Sequence, residues 1–207
     1  MNRTLAQILS GLFHPLLLPT YVFFIILYLS PQSLVTLPMA SRWLVMVLVL
    51  LTTFVIPGVG TYYMYRNGFI SSMQVENRPE RNLPFFFAAG CFAITSYLFY
   101  SQPYFDRLFF IIMALITLSV FLTYLISFAW KISAHGVGMG GALGLLFVLN
   151  AYLPENELLY IVVLVIVLSG GVLSARLALD AHTPGEVYSG FLLGFSAVGA
   201  GMWMVIR

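Results

Sequence analysis

The sequence predicts an all-α fold: a polytopic bundle of about six to seven transmembrane helices forming one domain. Three observations point there. Hydrophobic residues make up 61% of the chain and charged residues only 8%, and the mean hydropathy is +0.98. Apolar runs of spanning length recur along all 207 residues. The connections between them are short and polar, with no low-complexity tract or long linker, so residues 1–207 read as a single integral-membrane domain.

The spans are expected at about 8–29, 42–65, 84–101, 107–129, 135–153, 157–178 and 186–206. The first begins in MNRTLAQILSGLFHPLLLP and stays apolar to about Tyr28 with no A-x-A site after it, so it reads as a span and not as a signal peptide. Polar turns such as SPQS, SQPYFDR and LPENE separate the later runs, and only the connection from Arg66 to Leu83 is both long and charged. Cys91 is alone and mid-span, which leaves no disulfide framework or cysteine metal site. Small residues recur every four positions in the last three runs: Gly136, Gly140 and Gly144; Gly170, Ser174 and Ala178; Gly190 and Gly194. Such stripes are expected to let helices pack closely. The 12 Tyr and 18 Phe are expected at lipid-facing or interfacial positions, and His14, beside Pro15, in interfacial packing.

A formal net charge of +2 is too small to suggest a nucleic-acid partner. The charges that exist are concentrated. Seven spans place three charged stretches on one membrane face, because two spans separate each from the next. The first holds Glu76, Arg78, Pro79, Glu80 and Arg81; the second Lys131, Ser133, His135 and Gly136; the third Arg176, His182 and Glu186. Thr183, Pro184 and Glu186 read as N-cap, N1 and N3 of a capping box, and a helix N-terminus there would favour an anion. Several cations around two histidines and one carboxylate suit phosphoryl chemistry, which needs positive charge on the transferring oxygens, a nucleophile and an acid. A metal site would want more carboxylates or a third histidine and no crowd of arginines, so no metal and no cofactor is expected. Plainer roles exist for some of these residues. Ser133 can be a helix N-cap, Lys131 can snorkel beside Trp130, Asp180 can pair with Arg176 one turn earlier, and Glu80 and Arg81 can be loop charges.

The three stretches resemble the motifs of the type 2 phosphatidic acid phosphatase (lipid phosphate phosphatase) superfamily. Its third motif, Ser-Arg, five residues, His, three residues, Asp, is matched in spacing by Ala175-Arg176, His182 and Glu186. Its second, Pro-Ser-Gly-His, is matched by the serine and histidine of Ile132-Ser133-Ala134-His135, and its first, Lys, six residues, Arg-Pro, ends here in Arg78-Pro79 but has Ser71 at the lysine position. The resemblance covers roughly residues 71–194. It implies a metal-independent hydrolase in which His182 attacks phosphorus, Glu186 orients and stabilises its imidazole, and His135 is the general acid. It further implies that Arg78 and Arg176, with Arg81 or Lys131, Ser133 and the Gly136 N–H, bind the phosphoryl oxygens. The implied partner is a membrane lipid phosphate or diphosphate, such as phosphatidic acid, phosphatidylglycerol phosphate, a polyprenyl diphosphate or a lipid A phosphate. The implied location is the plasma (inner) membrane. The excess of cations on the site face favours the cytoplasm by the positive-inside rule, but phosphate binding accounts for several of them, and the family's bacterial members usually work on the outer face, which is the placement expected here. The alternative is a transporter or anionic-lipid-binding protein on the same scaffold that has lost catalysis, favoured by the missing lysine. A prenyltransferase is disfavoured by the lack of paired aspartates to hold magnesium diphosphate.

Overall fold

In the computed structural model the described residues are 1–31, 34–75 and 77–207. Glu76 of the first charged stretch therefore lies outside them. Two short helices, α1 (Arg3–Leu12) and α2 (Leu18–Leu29), come first. Six helices long and apolar enough to cross a membrane follow: α3 (Met39–Arg66), α4 (Arg78–Ser101), α5 (Arg107–Ser127), α6 (Ala134–Tyr152), α7 (Leu159–Ala178) and α8 (Pro184–Ile206). The described residues contain no strand. The protein is an all-α, multi-pass membrane protein, as expected of a chain whose backbone polar groups must be satisfied within each segment.

The first span departs from expectation. It is not one helix over residues 8–29: α1 stops at Leu12 and α2 starts at Leu18. Pro15 is the physical reason, since it supplies no N–H and disfavours helix at His14 before it. A break among apolar helices leaves carbonyls with no helical partner, and side chains take them up. Tyr21 Oη donates to Leu12 O at 2.9 Å, and Thr53 Oγ1, 2.8 Å from Val49 O of its own helix, shares its hydrogen with Leu16 O at 3.2 Å. The His135 ring donates from Nε2 to Ser10 O at 3.0 Å. Helix α1 runs antiparallel along α7, with Arg3 paired to Asp180 at 3.3 Å and Leu9 against Gly171. Asp180 thus pairs with Arg3 and not with Arg176. At the far end of α2, the buried Arg42 donates to Leu37 O at 3.1 Å and to Leu27 O, closing the last turn.

Helices α6 and α8 are pressed together backbone to backbone. A Cβ added at Gly140 would lie 2.0 Å from Phe191 O, and one at Gly194 would lie 1.9 Å from Val137 O. Two of the three small-residue stripes therefore interlock with each other. The third does not: a Cβ at Gly170 would meet nothing within 4 Å, and Ser174 is exposed. Toward the opposite end of the bundle, Phe23 of α2 stacks on Phe99 of α4 at 5.5 Å and tilts against Phe109 of α5 at 5.7 Å. The packing leaves the N-termini of α4, α6 and α8 and the C-terminus of α7 at one end of the molecule.

Candidate active site

At that end the three charged stretches meet. Arg78 donates from Nη1 to Ala129 O at 2.6 Å, and Arg81 from Nη1 to Ile132 O at 3.0 Å, so the start of α4 is tied to the α5–α6 connection. The Ser133 N–H donates to Glu186 O at 3.1 Å, which ties that connection to α8. The cofacial arrangement read from span parity is the one observed.

His182 and Glu186 form the centre. The capping box at the start of α8 is complete: Thr183 Oγ1 accepts from the Glu186 N–H, and Glu186 Oε2 accepts from the Thr183 N–H at 3.1 Å. The same Oε2 lies 3.0 Å from His182 Nδ1. One carboxylate thus serves both the helix cap and the histidine. With Nδ1–H donating to it, the lone pair of the imidazole is on Nε2. His182 is 8% exposed. Its pKa is lowered to about 4, chiefly by burial and next by the charge of Arg81, with a smaller push from Arg176; together these outweigh the hydrogen bond to Glu186. At neutral pH the ring is therefore uncharged and its Nε2 is nucleophilic in form.

The cations sort themselves by burial. Arg81 is 6% exposed, held by Val75 O and Ile132 O, and within electrostatic reach of Glu186, Arg176 and His182. Val75, which supplies one of those carbonyls, has φ of 49°, a conformation uncommon for a β-branched residue. Arg176, in the last turn of α7, donates from Nη1 to Ser10 Oγ at 3.2 Å. Arg78 is exposed, and its guanidinium is directed at the Ala129 carbonyl. Lys131 is half-buried, and none of the described hydrogen bonds joins it to another residue of the constellation. Ser133 is the N-cap of α6, with Oγ accepting from the Gly136 N–H at 3.3 Å, so these two groups engage each other. Gly136 itself lies against the Val187 carbonyl. Ser71 and Glu80 form a separate loop clasp. Glu80 Oε2 accepts from the Ser71 N–H and Oγ at 2.7 and 2.9 Å, and Oε1 accepts from Asn77.

Two residues near the centre were not among the expected site residues: Ser10, and His14, which was expected only in interfacial packing. Ser10 touches both His135, through its carbonyl, and Arg176, through its hydroxyl. His14 meets the His135 ring edge-on, with centroids 6.1 Å apart. Nothing local marks Ser10, because its contacts span more than a hundred residues of sequence. The only available hint was Pro15, which breaks the first span and lets α1 fold back along α7. Among the described residues no group of three or more His, Cys, Asp or Glu is placed to hold a metal ion.

The fold and this end of the bundle define a multi-pass helical membrane protein with a buried histidine–carboxylate pair beneath two arginines. No family model matches the chain, and neither a curated protein nor a solved structure matches it.

Proposed function

We propose that the protein is a membrane-embedded phosphatase that hydrolyses a lipid phosphate or diphosphate through a phosphohistidine, without a metal. The observation that carries the reading is the His182–Glu186 pair at 3.0 Å, with its imidazole neutral and Arg81 and Arg176 beside it. His182 Nε2 attacks phosphorus and the bond from phosphorus to the ester oxygen breaks. Glu186 stabilises the positive charge that the ring acquires. Arg81 and Arg176 neutralise the equatorial oxygens, joined by Arg78 or Lys131 if the loop closes on substrate. His135 Nε2–H is held by Ser10 O, so the lone pair of the neutral ring is on Nδ1. Nδ1 takes the proton of the incoming phosphate monoanion and passes it to the leaving oxygen. Water then attacks the phosphohistidine, its proton passes to His135, the N–P bond breaks and phosphate leaves. Ser133 and Gly136 contribute through the α6 N-terminus, either as its cap or as donors to phosphate once their mutual hydrogen bond opens. This is the chemistry of the type 2 phosphatidic acid phosphatases, which the motif spacing resembles. On that reading the site faces the outer side of the plasma (inner) membrane, and its partners are the bilayer and a lipid phosphate drawn from it.

A second reading rests on Ser71. It stands where the resemblance calls for a lysine, and it is committed to Glu80 in the loop clasp. The protein would then bind or transport an anionic lipid without turning it over. Phosphate release from a panel of lipid phosphates in detergent with EDTA, wild type against His182→Ala, separates the two. Release by the wild type that is lost in the variant is the expected result. No release by folded wild type, with lipid binding retained, would favour the second reading.

A further inference from the structure

An apolar cavity of about 70 Å³ runs between the broken first span, α4, α5 and α6, with Val198 of α8 also in its wall. We propose that it holds one hydrocarbon chain of the substrate while the phosphate sits against Arg81; this rests on the phosphatase reading for its headgroup end. Three observations carry it. The first is continuity. Phe85, Ala88 and Phe92 line the cavity at four, seven and eleven residues after Arg81, so Arg81 continues the face of α4 that they form. On α6 the lining begins at Ala134, between Ser133 and His135, and descends through Gly141 to Leu145.

The second is chemistry. Among the described residues, the only side-chain hydroxyls in the lining, Ser119 and Thr123, donate to carbonyls of their own helix, Ile116 O at 2.8 Å and Ser119 O at 2.7 Å. The walls therefore offer a ligand no unmet donor, and a polar group placed there would lose its hydrogen bonds. A hydrocarbon loses none. The third is volume. At about 10–15 Å³ per water-sized group, the cavity takes roughly five to seven such groups, room for one short stretch of hydrocarbon chain and not for two. A two-chain lipid would place one chain here and leave the other in the bilayer.

The test uses alkyl phosphates from propyl to decyl, kept below their micelle concentrations, with detergent-purified protein. Calorimetric binding is measured on His182→Ala, and phosphate release on protein with His182 intact. Ala88→Phe and Ala142→Phe fill the cavity from two different helices, so a folding failure in one leaves the other. Affinity is expected to rise about fourfold per methylene over roughly the first five to seven carbons, and then level off. Both filled variants are expected to flatten that rise, lowering the decyl-to-propyl ratio of affinity and of kcat/KM by at least tenfold. If phosphate is released but the filled variants keep the wild-type dependence on chain length, the chain lies elsewhere, and the cavity proposal is overturned while the phosphatase reading stands. If no phosphate is released but binding still depends on chain length and on Ala88 and Ala142, the cavity proposal stands and the phosphatase reading fails. Absence of both overturns both.

Discussion

Glu186 is asked to do two things with one oxygen, capping α8 and holding His182 Nδ1. Glutamine at N3 also completes a capping box, so Glu186→Gln separates the roles. The expected outcome is a melting temperature close to wild type and phosphate release slower by about 10²-fold or more, since the ring loses the charge that orients and stabilises it. A large drop in melting temperature with proportionate activity would show that the carboxylate is only a cap. His182 also makes a pH prediction. Its folded pKa, about 4, lies below the ordinary 6.5, because burial and Arg81 disfavour the imidazolium. The unfolded chain therefore binds the proton first. Stability from this group is complete above pH 6.5 and is lost as pH falls from 6.5 to 4, by at most about 1.4 kcal/mol per pH unit. Melting curves in detergent from pH 7.5 to 4 should show a shallower decline for His182→Asn than for wild type. Parallel curves would mean that the ring is not held neutral.

At the scale of the helices, the site depends on how closely α6 approaches α8. The first carries His135 and the second presents Glu186, and glycines allow their backbones to touch. Gly140→Ala places a methyl against the Phe191 carbonyl, where only backbone could yield. It should destabilise by about 1–3 kcal/mol, the usual range for overpacking, and slow release by shifting the two helix N-termini relative to each other. Gly170→Ala is the control. It faces open space on α7, and the substitution should leave the melting temperature unchanged or slightly raised, because alanine is the better helix former. Equal effects at the two positions would mean that the α6–α8 contact is looser than described. The break between α1 and α2 belongs to this scale as well. It brings Ser10 and His14 to His135, and it lets Pro15, Leu16 and Leu18 line the apolar cavity.

For the molecule as a whole, the six long helices and the broken first span put every ionisable residue of the proposed site at one end. That makes its orientation a single binary question. Asp180 is exposed at the site end and Asn156 lies at the other. In a Cys91→Ala background, Asp180→Cys should react with a membrane-impermeant maleimide on intact cells, and Asn156→Cys should react only after the membrane is opened. The reverse pattern would put the site in the cytoplasm, as the positive-inside rule taken alone suggests, and would move the substrate to the inner leaflet.

Much of this was legible in the chain itself. Apolar run length decides the helices, because a hydrocarbon surrounding leaves backbone no other partner. Span parity puts the three charged stretches on one face regardless of packing detail. The capping box and the spacing of Arg176, His182 and Glu186 are local, within one turn and its flanks, so they survive any arrangement of the rest. What is not local had to wait for the tertiary structure. It decides that Arg81 and not Arg78 is buried beside His182, that the Gly170 stripe faces outward, and that the first span is broken at Pro15 with Ser10 folded onto His135 and Arg176. Those outcomes depend on which carbonyls and which helix faces meet across the bundle. A one-dimensional pattern specifies that a face is apolar or a residue charged; the partner that satisfies it is set by packing between segments far apart in the chain.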